Sequence, residues 1–155
     1  MRNVLLSAHI AVTVSALGAD LVLLALGVAG LSGADPATVY PAMALIGSWV
    51  MSPLAVASLS SGLALALLTR WGVFRYWWVT IKLAITAVLT LLVLLVLGPR
   101  FEAAAEAARL GVALTDPQRG QLVITSVVGS GLLIVTIGLA VFKPARRLAA
   151  STGRH

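Results

Sequence analysis

A chain of 155 residues with 60% hydrophobic and 10% charged residues, and a mean hydropathy of +1.05, is too apolar for a water-soluble globule, where roughly a quarter of residues are charged. The apolar residues are gathered in a few long runs, so the length supports one polytopic membrane domain over residues 1–155 rather than a water-surrounded core. The net charge of +6 lies beside those runs, where Lys and Arg set orientation and meet anionic headgroups; the expected partner is the lipid bilayer, with no nucleic acid, and the absence of cysteine excludes disulfides and thiolate chemistry.

The first run, residues 4–30, follows Arg2 and resembles the start of a signal peptide, but it is far longer than an h-region of roughly 7–15 residues and contains Asp20, so it reads as a retained span. Asp35-Pro36 is a helix cap followed by a proline suited to the first turn, and opens a second helix whose span covers about 38–69. Pro41 falls at its outer interface, and Pro53 predicts a kink within the membrane. Residues 70–75 form a hairpin turn into span three, 76–98, which the pair Gly98-Pro99 is expected to close. From Phe101 to about Leu114 alanine and charge alternate with Glu102, Glu106 and Arg109 on one face, which predicts a short amphipathic surface helix. Asp116-Pro117 repeats the cap-plus-proline signal and starts span four, 117–142. The fold class is therefore all-α: a four-transmembrane-helix bundle with a short amphipathic helix between spans three and four.

Cations decide orientation. Arg2, Arg70, Arg75, Lys143, Arg146, Arg147 and Arg154 fall on one side of this plan, against Arg100, Arg109 and Arg119 diluted by Glu102, Glu106 and Asp116 on the other. Both termini are expected in the cytoplasm of a bacterial inner membrane. Trp71, Tyr76, Trp77 and Trp78 then form an interfacial aromatic belt, while Trp49, well inside span two, is expected to fill a gap in the bundle. His9 to Thr13 and Lys82 to Thr86 give a weak internal repeat between spans one and three.

Candidate chemistry lies on spans one and three. His9, Thr13 and Asp20 fall within an arc of roughly 40° on a helix, with Ala16 on the same face and Ser15 pointing away. An ionisable group within a span is costly and faces protein or a water-filled cavity. Asp20 therefore reads either as a working carboxyl or as a structural group bonded to a serine or threonine, or to Arg100 or Arg119. His9 reads as a structural histidine, a proton relay or an axial haem ligand. Lys82, with Thr86 and Thr90 continuing its face, either snorkels to the interface or shares a cavity with His9. Small residues in span two (Ser48, Ser52, Ser58, Gly62) and span four (Ser126, Gly129, Ser130, Gly131) favour close helix packing and self-association into a homo-oligomer. No metal site is expected: Met43 and Met51 lie in the outer half, away from His9.

Pro53-Leu54, Ser58-Leu59, Gly62-Leu63, residues 69–75, Trp77-Trp78-Val79 and Lys82, together with His9 and the region Gly18 to Asp20, resemble a group of uncharacterised small bacterial integral membrane proteins with four predicted spans. More distantly, the pattern is similar to the membrane domain of copper-resistance-D-type proteins and to small haem-associated membrane oxidases of porphyrin synthesis. The resemblance implies a helical bundle that oligomerises and holds haem or copper, although a second intramembrane histidine is missing. Three functions stay open: a module that binds or transports protons or a small or lipophilic ligand through His9, Thr13, Asp20, Lys82 and Thr86; a haem-associated membrane oxidoreductase; and a structural scaffold with no small-molecule site.

Overall fold

The computed structural model of the protein describes residues 2–68 and 77–142. The expected hairpin turn at 70–75, the aromatic residues Trp71 and Tyr76, and the basic tail from Lys143 lie outside the described residues. The chain is all-helical over the described part: α1 (Arg2–Leu31), α2 (Pro36–Leu45), a π-helical turn (Ile46–Met51), α3 (Ser52–Leu68), α4 (Trp77–Leu92), a second π-helical turn (Val93–Leu97), α5 (Gly98–Arg109) and α6 (Asp116–Phe142). Among the described residues, four stretches are long and apolar enough to cross a membrane: Asn3–Leu31, Pro36–Leu68, Val79–Arg109 and Asp116–Gly138. Span one packs against span two and α6, span two against span three, and span three also touches α6. The result is an up-down-up-down four-helix bundle.

The turns after α1 and α5 show why the chain reverses where it does. After α1, Gly33 takes φ +94° and the Ala34 N–H reaches back to Ala29 O at 3.0 Å, closing the helix with a left-handed glycine. Asp35 then caps α2, accepting from the Ala37 N–H at 3.3 Å and from the Thr38 hydroxyl at 2.6 Å. After α5 the motif repeats, with Gly111 at φ +67° and the Val112 N–H on Ala107 O at 2.8 Å. The cap of α6 differs from the expected one. Thr115, not Asp116, takes the capping position, and its N–H and hydroxyl both donate to Gln118 Oε1, at 2.9 and 3.0 Å, the glutamine half of a capping box.

Gly98-Pro99 does not stop span three. The helix widens over Val93–Leu97, the Gly98 N–H reaches five residues back to Val93 O, and Pro99 enters the first turn of α5. A proline has no N–H to place, and a π-turn makes room for its ring where a regular turn would clash. Span two uses the same device: the Ser52 N–H reaches Gly47 O across the turn Ile46–Met51, and Pro53 follows. The expected amphipathic helix is thus the continuation of span three as α5. Its face Phe101, Ala104 and Ala105 is buried against α2, and Glu102, Glu106 and Arg109 are exposed.

The apolar core occupies the half of the bundle that carries the Gly33 and Gly111 turns, around Leu23, Tyr40, Met43, Leu97 and Phe101. In lipid, helix association gains little from water exclusion and depends on close contact, which glycine permits. A methyl group at Gly47 would stand 2.6 Å from the Phe101 ring, and one at Gly27 3.2 Å from the Val123 side chain. Trp49 departs from expectation. It is 79% exposed on the π-turn, facing out of the bundle rather than filling a gap in it, because that turn directs its small residue Gly47 inward and its indole outward.

Candidate functional site

His9, Thr13, Ala16 and Asp20 form one buried stripe on α1, while Ser15 is exposed. The 3.6-residue period that predicts a common face is what the bundle uses. His9 meets α3: its Nδ1 lies 2.8 Å from Ser61 Oγ, and its ring rests on Gly62, where a methyl group would stand 3.2 Å from Cε1. Ser61 has one hydroxyl proton, and that proton points at Ala57 O at 2.6 Å. A neutral His9 carrying its hydrogen on Nδ1 satisfies this arrangement and leaves Nε2 bare.

One turn on, the Thr13 hydroxyl donates to His9 O at 2.8 Å and lies 3.4 Å from Ser58 Oγ. Two further turns along, Asp20 is 2% exposed and packs against α6. Ser130 Oγ donates to Asp20 Oδ2 at 2.5 Å, and the carboxyl lies over Gly129. Of the partners expected for Asp20, the serine is the one found. Arg119 instead directs Nε to Leu114 O at 3.1 Å, and Arg100 is exposed. The one ion pair among the described residues is Arg109–Glu106 at 3.6 Å, on the surface.

Span three supplies the facing wall. Thr86 donates to Lys82 O at 2.9 Å, and Thr90 donates to Thr86 O at 2.8 Å and across to Ala55 O at 3.2 Å. Lys82 is half-buried on α4. Between the spans lies a cavity of about 30 Å³ with a largely apolar wall that includes Met51, Leu89, Val93 and Leu133, and with Asp20, Ser58, Thr86 and Thr90 at its border. That is room for one or two waters. The five candidates therefore divide: Asp20 and Thr86 border the cavity, Thr13 bonds toward it through Ser58, and His9 and Lys82 stand at the end nearer the chain terminus.

The haem implied by the resemblance does not fit this arrangement. Cofactor pockets run to roughly 300–1,000 Å³, whereas the cavity between the spans holds about 30 Å³, His9 does not border it, and the His9 ring is packed on Gly62. Among the described residues, no three His, Asp or Glu side chains gather where a metal ion would sit.

Sequence reading missed Ser61 altogether and took Ser130, Gly62 and Gly129 for packing positions. The available signal was pairing: Asp20 and His9 each needed a hydroxyl partner, and a serine beside a glycine on a facing span offers both the hydroxyl and the space. Comparison with protein-family models, with characterised proteins and with solved structures returns no match for this chain, so the site is read from its own geometry.

Proposed function

We propose that this chain is a small four-span membrane protein that binds and passes protons, with Asp20 as the exchanging group. One observation carries the reading: a carboxyl 2% exposed in the bundle centre, bonded to a serine hydroxyl and to no cation, borders a water-sized cavity shared with Ser58, Thr86 and Thr90. Such a group is expensive to keep within a membrane, and the cavity beside it is large enough to admit a water to the carboxyl, while the threonine hydroxyls around it are engaged by backbone carbonyls. The cavity volume favours protons over a lipophilic ligand.

Purified protein in liposomes containing a pH-sensitive dye tests this under an imposed potassium diffusion potential. Wild type is expected to acidify the lumen well above empty liposomes, and Asp20→Asn to lower that flux at least tenfold. Flux equal to that of empty liposomes, or unchanged in Asp20→Asn, overturns the proposal. The scaffold is the second reading, favoured by the fact that the hydroxyls of Thr13, Thr86 and Thr90 are all spent on backbone carbonyls. It predicts no flux, with Asp20→Asn altering stability alone.

The cation count supports cytoplasmic termini in a bacterial inner membrane. Self-association is part of the proposal but needs a different surface from the one expected. Ser58, Ser126, Ser130, Gly62 and Gly129 are spent inside one bundle, so copies would meet through outward positions such as Gly131. A monomeric mass in nanodiscs would remove the homo-oligomer.

A further inference from the structure

The two proline-marked π-turns are in contact with one another, and they separate the same outer piece from the rest of the bundle. That piece is α2 with α5. The two helices pack together, the Phe101 ring fills the space over Gly47, and Ser48 Oγ donates to Glu102 Oε1 at 2.6 Å. Its other ends are the turns carrying the left-handed glycines Gly33 and Gly111. Every chain connection of the α2–α5 pair is thus either a π-turn, which has lost the regular α-helical hydrogen-bond ladder, or a glycine turn. The residues that border the Asp20 cavity on its outer side, Met51, Val93 and Leu97, belong to the π-turns themselves.

We infer that the α2–α5 pair is an outer gate, swinging as one body on the two π-turns to open a water path from the outer face to Asp20. The inference rests on the reading of Asp20 as a group that exchanges with water. A buried hydroxyl says which contact yields. Tyr40 is 2% exposed, its hydroxyl has no hydrogen-bond partner, and it lies against Gly30 of α1. A buried polar group left unpaired opposes the closed state, and moving α2 away from α1 would hydrate it. The seam between α1 and α2 is therefore the side that parts, while the α2–α5 contact stays closed.

The chain has no cysteine, so access can be read at one introduced thiol. Ala16→Cys places it on α1 at the cavity wall. In liposomes of fixed orientation, a charged, membrane-impermeant methanethiosulfonate applied at the face bearing the Gly33 turn is expected to modify it. Tyr40→Phe, which removes the unpaired hydroxyl, is expected to slow that reaction at least threefold while raising the melting temperature. Pro53→Ala with Pro99→Ala, which restores two backbone donors, is expected to slow it at least tenfold. No modification from that face, or a rate unchanged in Tyr40→Phe, overturns the gate; the tyrosine variant keeps the test decisive if the double proline variant fails to fold. Labelling does not depend on proton flux. A gate that opens without flux removes only the proton reading, and flux through a protein that never labels removes only the gate.

Discussion

The backbone of Gly129 forms the floor under the Asp20 carboxyl, so that a methyl group there would stand 3.3 Å from each carboxylate oxygen. Gly62 bears the same relation to His9, at 3.2 Å from Cε1. The two ionisable groups of the α1 stripe, His9 and Asp20, are each seated on a glycine of a neighbouring span and bonded to the adjacent serine: Ser61 beside Gly62, Ser130 beside Gly129. The glycine admits the side chain and the serine satisfies it.

These seats give a graded mutational series. Replacing a helical glycine by alanine gains up to about 1 kcal/mol in propensity, and overpacking a tight site costs about 1–3 kcal/mol. At Gly62 and Gly129 the contacts are 3.2–3.3 Å and the neighbour has only to give slightly, so Gly62→Ala and Gly129→Ala should be near neutral in stability. At Gly47 the 2.6 Å approach is to the ring of Phe101, which is 1% exposed and has nowhere to go. Gly47→Ala should therefore destabilise by about 2 kcal/mol, and Phe101→Leu should recover part of the loss. Gly18, with open space around it, should gain stability as alanine. Thermal unfolding in one detergent ranks the four, and a Gly47→Ala variant as stable as Gly18→Ala would refute the packing account.

The His9 site predicts a tautomer. With the Ser61 proton engaged by Ala57 O, the imidazole should carry hydrogen on Nδ1 and none on Nε2, visible in nitrogen-15 chemical shifts of labelled histidine. Ser61→Ala should redistribute the tautomers. If His9 and Lys82 interact across the bundle, His9→Gln and Lys82→Met should also combine non-additively, by about 0.5 kcal/mol or more in stability. An Nε2–H tautomer in the wild type would show that Ser61 donates to the ring.

How much of this was legible follows from the range of each signal. The spans, the stripe through His9, Thr13 and Asp20, and the cap at Asp35 are local patterns, set by hydropathy and a 3.6-residue period within one helix. Pro99 misled because a proline after glycine reads as a stop in any single-helix account, whereas the π-turn that carries the helix past it is favoured by packing Phe101 and Ala105 against α2, far away in sequence. Trp49 misled for a related reason, since the π-turn rotates the face that a regular helix would present. Partners such as Ser61 and Ser130 are set by how the spans face one another; their adjacent glycines are a local mark, but which of the serine-glycine pairs meets which side chain is not written in any one helix.

Orientation gives a prediction independent of the site. If the cations keep both termini in the cytoplasm, single cysteines at Ser32 and Ala107 should react with an impermeant maleimide on intact cells, and one at Ser151 only after permeabilisation. Ser32 lies in the turn after α1 and Ala107 near the end of α5, so the two should agree with each other. Labelling at Ser151 with Ser32 protected would invert the assignment, and disagreement between Ser32 and Ala107 would break the four-span order.

The last prediction concerns pH at the turn between α1 and α2. The Thr38 hydroxyl and then the Ala37 N–H, both donating to Asp35, hold its carboxyl below the usual carboxylate range. A carboxyl with a folded-state pKa below its unfolded value of about 3.9 stabilises the fold fully above that value, and the contribution is lost as pH falls through the lower, folded-state pKa. Asn also caps helices well but has no charge to lose. The difference in melting temperature between wild type and Asp35→Asn should therefore be constant from neutral pH down to about pH 5, then shift against wild type below about pH 4. Because Asp35 is fully exposed, the effect should be small and should shrink as salt is added. A difference that changes between pH 5 and 7 would have to come from another group, and repeating the titration in Asp20→Asn and His9→Gln backgrounds would show which of the buried groups is responsible.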